Sequence, residues 1–178
     1  MTQVAVQNFQ AKRVLSVLVA DDSPIIQTIL LRILTNLGHK VVMVGNGLEA
    51  VGAVRSKDFD VVVMDMHMPE MDGATATRSI RGTPTDIAFT PIIACSVDNE
   101  RDHVESFFEA GVNAYMEKPI DTEVLLQTID EVLDEKIHEL IMDGDRTANA
   151  LRQETSDSLV DESDGDIDAF LDTLKSIE

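Results

Sequence analysis

Short apolar runs rich in β-branched residues alternate with amphipathic helical patterns five times along the chain. The five runs lie at residues 14–20, 40–44, 61–64, 92–95 and 112–116. Runs of this length are typical of strands that are buried on both faces, and a helix between consecutive strands favours parallel pairing. We therefore predict an α/β domain in which helices cover both faces of a five-stranded parallel sheet.

Residues that begin and end helices fall where this arrangement needs them. Ser23, which precedes a proline, is typical of a helix start, and Gly38 is typical of a helix end. Asp121 begins a fifth helix, whose apolar spacing continues to residue 141. The other helices are predicted at 47–55, 72–81 and 99–110. Ile29 in the first helix, Leu48 in the second and Val124 in the fifth are among the residues of the predicted apolar faces.

The acidic residues are concentrated towards the C-terminus. The formal net charge is −19, and residues 121–178 hold 18 acidic but 4 basic side chains. Residues 143–178 are also rich in Ser, Thr and Gly and mostly aperiodic, which predicts a mostly disordered acidic tail. Within this tail, apolar residues at helical spacing over 166–177 indicate either a short helix that docks into a partner's groove or a weak helix that packs back or stays loose.

Charge and hydropathy exclude several classes of protein. A strongly acidic chain lacks the basic patches that bind nucleic acid or an anionic membrane. No apolar run reaches the ~18 residues of a membrane helix, and the N-terminal extension, residues 1–13, lacks the apolar core of a signal peptide. We therefore expect a cytoplasmic protein with one folded domain at 14–142, and neither nucleic acid nor a membrane among its partners.

Polar side chains follow four of the five predicted strands. Asp21 and Asp22 come after the first strand, Asp65 after the third, Ser96 after the fourth and Lys118 after the fifth. Because the carboxyl ends of parallel strands meet at the same edge of a sheet, we expect these side chains to lie close together.

This set of side chains suits phosphoryl transfer. Three neighbouring carboxylates repel one another, and a hard divalent cation such as Mg²⁺ would relieve that repulsion. A carboxylate can attack phosphorus directly, while Lys118 and Ser96 can stabilise charge on the phosphoryl oxygens. Each residue alone has an ordinary explanation, such as Asp22 capping a helix. Their order at successive strand ends predicts a magnesium-dependent site that accepts a phosphoryl group.

Four segments carry these residues: LVADDSP, VVVMDMHMPEMDG, PIIACS and AYMEKPI. Together they resemble the receiver domain of two-component response regulators, over roughly residues 14–141. The resemblance implies a flavodoxin-like (βα)5 fold with a doubly wound sheet. It also implies that Asp65 receives its phosphoryl group from a phosphohistidine, on a histidine kinase or on a histidine phosphotransfer protein.

The resemblance further implies how Mg²⁺ and the phosphoryl group would be held. Asp22 would bind Mg²⁺ directly and Asp21 mostly through water, while Asp65 and the backbone carbonyl of His67 would complete the protein ligands. The His67 side chain is not expected to be a ligand. Lys118 would contact the phosphoryl oxygens.

Four more expectations concern residues around the acceptor. Ser96 would be the switch hydroxyl that moves towards the phosphoryl group, and Tyr115 would be the switch aromatic that turns inward with it. A plain core role for Tyr115 is the alternative. The bond between Lys118 and Pro119 would be cis, and Gly73 would lie where the loop after the third strand passes close to the site.

The expected function is that of a stand-alone receiver, because no output domain is recognisable after residue 120. Such a protein would relay its phosphoryl group or gate partner binding, through helix four, strand five and helix five or through the tail. It would lose the group slowly and would not be an enzyme. One alternative is a Mg²⁺-dependent phosphatase that forms an aspartyl-phosphate, as the haloacid dehalogenases do. Those enzymes have a second Asp two residues after the nucleophile, whereas this chain has His67 there, so the sequence disfavours this alternative. The other is a receiver-like interaction module that is never phosphorylated.

Overall fold

The computed structural model of the chain describes residues 13–136. Its five strands are β1 (Ser16–Ala20), β2 (Lys40–Val44), β3 (Val61–Asp65), β4 (Ile92–Ser96) and β5 (Ala114–Glu117). Its helices are α1 (Pro24–Asn36), α2 (Gly47–Ser56), α3 (Gly73–Arg81), α4 (Arg101–Ala110) and α5, which begins at residue 122 and is described to residue 136. The N-terminal extension up to residue 12, the acidic tail and the predicted helix at 166–177 lie outside the described residues.

The five strands form one sheet in the order β2-β1-β3-β4-β5, and every neighbouring pair is parallel. This order confirms the doubly wound α/β fold. The chain winds outward in one direction from β1 to β2 and in the other from β3 to β5, so the order reverses between β1 and β3. Ligands of such sheets bind at the carboxyl ends of the strands, next to that reversal.

Core residues lie in two layers, one on each face of the sheet. Successive side chains of a strand point to opposite faces, so Leu18 packs with α2, α3 and α4, whereas Val17 and Val19 pack with α1 and α5. All five residues of β3 and all five of β4 are buried. Burial on both faces explains why these strands read as continuous apolar runs in the sequence.

Some details of the sequence-based prediction were wrong. Ile29, Leu48 and Val124 are 51%, 56% and 51% exposed, respectively. The apolar pattern of these helices is therefore wider than the stripe that contacts the sheet. The stretch before β4, for which no helix was predicted, contains a 3-10 helix, Asp86–Phe89. A 3-10 helix of 4 residues is too short to show a helical periodicity in the sequence.

Arg81 ties the end of α3 to two loops on the side of the sheet formed by β4 and β5. Its guanidinium donates hydrogen bonds to the carbonyls of Gly111, Ala88 and Thr90 at 2.8, 2.8 and 2.9 Å, and to Asn113 Oδ1 at 2.8 Å. Burial lowers the pKa of Arg81 from its ordinary value. The planar set of donors on one arginine suits several carbonyls at once, which a lysine ammonium would match poorly.

Within residues 13–136, none of the helices combines the length and the apolar character needed to cross a membrane. The cytoplasmic location expected from the sequence stays a prediction.

Candidate functional site

The register of the sheet brings the polar residues at the strand ends together. Ala20 of β1 is paired with Met64 of β3. Asp21 directly follows β1 and Asp65 is the last residue of β3, so the two lie at the ends of neighbouring strands. Asp65 is itself paired with Cys95 of β4, which is followed by Ser96. Ser96 is paired with the last residue of β5, and Lys118 comes next.

Three carboxylates face one another at this edge. Asp21 and Asp65 are 2% and 5% exposed, whereas Asp22 is open to solvent. Each offers an oxygen, and these oxygens all lie within 4.8 Å of one another. An all-oxygen donor set with one solvent-exposed member fits Mg²⁺, which binds a few carboxylates and keeps several waters.

Lys118 bridges the two buried carboxylates. Its Nζ lies 2.7 Å from Asp21 Oδ2 and 2.9 Å from Asp65 Oδ2, and its side chain is 10% exposed. Burial by itself lowers the pKa of Lys118, but the hydrogen bonds to both carboxylates and their charges outweigh it and raise the pKa above its ordinary value. The ammonium is therefore charged at neutral pH and offsets part of the negative charge of the site.

Main-chain N–H groups orient the two buried carboxylates, and the Gln27 side chain holds the main chain beside one of them. The N–H of Ser23 donates to Asp21 Oδ1 at 2.8 Å, and the N–H of His67 donates to Asp65 Oδ1 at 3.1 Å. Gln27 Nε2 donates to the carbonyls of Asp21 and Val44, at 2.6 and 3.1 Å. The loop after β1 is thereby held against β2 and α1, and both aspartates present one fixed oxygen each.

Gly73 allows the loop after β3 to fold back on the end of that strand. Its N–H donates to the carbonyl of Met66 at 3.1 Å. A Cβ at this position would lie 2.2 Å from the carbonyl oxygen of Asp65 and 2.9 Å from the Cα of Met66. The loop can pass this close to Asp65 because residue 73 has no side chain.

Ser96 is completely buried and its hydroxyl is held from two sides. Ser96 Oγ lies 3.2 Å from His67 Nδ1, and it accepts a hydrogen bond from the N–H of Asp98 at 3.1 Å. The carboxylate of Asp98 accepts from the N–H of Glu100 and pairs with His103, and these interactions lower the pKa of Asp98. The loop between β4 and α4 is therefore organised around one residue, Asp98.

Tyr115 contacts the same loop from β5. Its hydroxyl donates to the carbonyl of Asp98 at 2.9 Å, and its ring stacks on Phe107 of α4 with a centroid separation of 6.3 Å. Burial, with the negative charges of Glu117 and Asp98, raises the pKa of Tyr115. Tyr115 is half-buried, and its predicted role as a switch stays a prediction.

Two further residues complete the surroundings of the site. The bond between Lys118 and Pro119 is cis, and the N–H of Lys118 donates to the carbonyl of Ser96 at 2.8 Å. Cys95 is buried on β4 next to Asp65, and burial raises the pKa of its thiol to about 12. The thiol is therefore protonated at neutral pH and packs as a small apolar side chain.

Residues 17–130 match the family described as the response regulator receiver domain. The chain belongs to this family. It is a receiver domain of two-component signal transduction, and the sequence-based recognition is confirmed.

Three relatives illustrate how this receiver compares with known proteins. PilH of Pseudomonas aeruginosa is 38% identical over 117 residues, which cover 66% of this chain and 96% of PilH. The receiver domain of the sensor histidine kinase PA1611, from the same species, is 30% identical with a TM-score of 0.64, over 68% of this chain and 99% of that one; its crystal structure has a magnesium ion coordinated in the active site cleft.

The third relative is much longer than this receiver. The sensory/regulatory protein RpfC of Xanthomonas campestris is 31% identical over 118 residues, which cover 66% of this chain but 16% of RpfC. The similarity to such kinases is therefore a similarity between receiver domains. It is not evidence about the other activities of those kinases.

Three contacts of the receiver site were not predicted from the sequence. Gln27 braces the loop that carries Asp21, Asp98 holds the Ser96 hydroxyl, and the His67 side chain contacts that hydroxyl. None of the three belongs to a pattern with its own spacing. Proximity to the site in sequence was the available signal, and it does not say where a side chain points.

Proposed function

We propose that this receiver accepts a phosphoryl group on Asp65 from a phosphohistidine, carried by a histidine kinase or a histidine phosphotransfer protein. The observation that supports the proposal most directly is the buried Asp65 carboxylate, whose Oδ2 lies 2.9 Å from Lys118 Nζ and which shares the site with Asp21 and Asp22. A strand-end carboxylate in contact with a fixed cation is a nucleophile next to a group that can stabilise the transferred charge.

The transfer itself requires little covalent chemistry from the protein. An oxygen of the ionised Asp65 carboxylate forms a bond to phosphorus as the bond between phosphorus and the donor imidazole breaks, and the electron pair of that bond stays on the imidazole nitrogen. No general base is needed. The N–H of His67 keeps the carboxylate oriented. The ammonium of Lys118 contacts the carboxylate before the transfer and stabilises the negative charge of the phosphoryl oxygens during it.

Mg²⁺ is proposed as the cofactor of this site, held by Asp21, Asp22, Asp65 and the backbone carbonyl of His67. When bound, it supplies positive charge that offsets the charge of three carboxylates and a phosphoryl group in one place. The oxygen-only donor set of this chain and the magnesium ion in the related PA1611 receiver support the proposal.

Intact-protein mass spectrometry after incubation with acetyl phosphate tests the proposed chemistry. We expect a single phosphoryl adduct that requires Mg²⁺ and disappears in Asp65→Asn. Asp58→Asn is a matched control, because this aspartate is exposed and lies away from the strand ends that carry the site. An adduct that persists in Asp65→Asn would contradict the assignment of the acceptor.

The same samples separate the proposed function from its two alternatives. A receiver should take up one phosphoryl group and release it slowly, whereas a phosphatase would turn over small phosphate esters many times. A receiver-like module that is never phosphorylated would give no adduct with acetyl phosphate or with a phosphorylated histidine phosphotransfer protein.

For the downstream partner, we propose the face formed by α4, β5 and α5. Phe108 of α4 and Val124 of α5 are exposed, and Tyr115 of β5 contacts the loop that carries Asp98. Hydrogen exchange should therefore change within residues 101–124 when Asp65 is phosphorylated, and the change should be absent in Asp65→Asn. A change confined to α2 or α3 would contradict this surface. The tail stays an alternative partner surface, outside the described residues.

A further inference from the structure

We infer that the side chain of His67 is a latch that holds the Ser96 hydroxyl in the unphosphorylated protein and competes with the phosphoryl group for it. The inference rests on the proposed phosphorylation of Asp65. It assigns His67 a positioning role that differs from the metal-binding role expected of its backbone carbonyl.

The competition follows from the single proton of the hydroxyl. A serine oxygen can accept from two donors but can donate once. Ser96 Oγ already accepts from the N–H of Asp98, and the oxygen is completely buried, so its proton needs an acceptor within the protein. In the part of the chain that the structure describes, His67 Nδ1 lies 3.2 Å from Ser96 Oγ. It accepts this proton when the imidazole carries its own proton on Nε2.

A phosphoryl group on Asp65 would need the same proton. Ser96 can donate to a phosphoryl oxygen if its hydroxyl turns away from His67, and the imidazole then loses its partner. Phosphorylation therefore has to break one hydrogen bond that the unphosphorylated protein makes. A receiver with this bond has a lower population of the conformation in which Ser96 is ready to contact the phosphoryl group.

The position of His67 also connects this exchange to helix α4. Its ring meets the ring of Phe107 edge to face, with centroids 6.5 Å apart, and Phe107 stacks on Tyr115. Tyr115 donates to the carbonyl of Asp98, whose N–H donates to Ser96. These five residues form a closed cycle of contacts. Loss of the contact between Ser96 and His67 therefore breaks the cycle next to α4.

Two variants of His67 separate the acceptor from the ring. His67→Phe keeps an aromatic ring against Phe107 but removes the acceptor, whereas His67→Asn keeps a side-chain acceptor near the position of Nδ1. With acetyl phosphate and Mg²⁺, we expect the initial rate of adduct formation to rise about fivefold in His67→Phe, which corresponds to one ordinary hydrogen bond. His67→Asn should bring the rate back to within about twofold of wild type.

A double-mutant cycle tests whether the effect passes through Ser96. In a Ser96→Ala background, His67→Phe should leave the rate unchanged, because no hydroxyl remains to be released. The same acceleration with and without Ser96 would show that His67 acts on access or folding, and would overturn the latch. An unchanged or slower rate in His67→Phe alone would overturn it as well.

Nitrogen NMR of histidine-labelled, unphosphorylated protein tests the latch independently of phosphorylation. In this protein His67 should carry its proton on Nε2, and Ser96→Ala should shift the Nδ1 resonance. A proton on Nδ1 would overturn the latch while leaving the proposed function intact. If the wild type instead forms no adduct from either donor, the proposed function fails, and the proposed competition fails with it.

Discussion

Replacing Lys118 with methionine is expected to lower the free energy of unfolding by about 3–5 kcal/mol in the absence of divalent cations. The substitution keeps the apolar stem but removes the ammonium that bridges Asp21 and Asp65. Because both carboxylates are nearly buried, they cannot recover the lost interaction from water, and their mutual repulsion is no longer offset. Urea denaturation measures the loss.

The cause of this loss can be identified with two further measurements. Mg²⁺ should recover more stability in Lys118→Met than in wild type, because the variant has more uncompensated negative charge at the site. Adding Asp65→Asn to Lys118→Met should recover stability without Mg²⁺, because it removes one of the two buried charges. Lys40→Met is the control: this exposed lysine at the start of β2 should change stability by no more than about 0.5 kcal/mol. If Lys118→Met were as stable as wild type, the bridge would contribute nothing.

The part of the site that could be predicted from the sequence consists of residues attached to strand ends. Asp21, Asp65, Ser96 and Lys118 each follow or end an apolar run, and parallel strands in a doubly wound sheet bring such positions to one edge. The fold was predictable for a related reason. β3 and β4 are buried on both faces, so their residues are apolar throughout, and this leaves a clear pattern in the sequence.

The remaining contacts depend on loop geometry, which leaves no periodic pattern. His67 and Ser96 are 29 residues apart, and their contact requires the loop after β3 to lie against the end of β4. Arg81 reaches residues 30 and 32 positions away, which both lie in the loop between α4 and β5. The prediction for Ile29 and Leu48 was wrong for a different reason. Helical spacing predicts an apolar face, but the sheet covers a narrower part of that face.

Replacing Gly73 with alanine is expected to destabilise the protein by about 3 kcal/mol and to slow phosphorylation of Asp65. The new methyl group would lie 2.2 Å from the carbonyl oxygen of Asp65 and 2.9 Å from the Cα of Met66. Both are backbone atoms, so neither can turn away as a side chain could. The loop after β3 must move instead, and it carries the N–H of His67 that orients the Asp65 carboxylate.

Gly52→Ala is the matched control for this prediction. Gly52 is an exposed residue inside α2, and a Cβ there would meet nothing within 4 Å. Because alanine is the better helix former by about 1 kcal/mol, this variant should be more stable than wild type and should be phosphorylated at an unchanged rate. Urea denaturation and the initial rate with acetyl phosphate measure both variants. Equal stability of the two alanine variants would mean that the loop after β3 can move without a cost in stability, and the close approach at Gly73 would then not constrain Asp65.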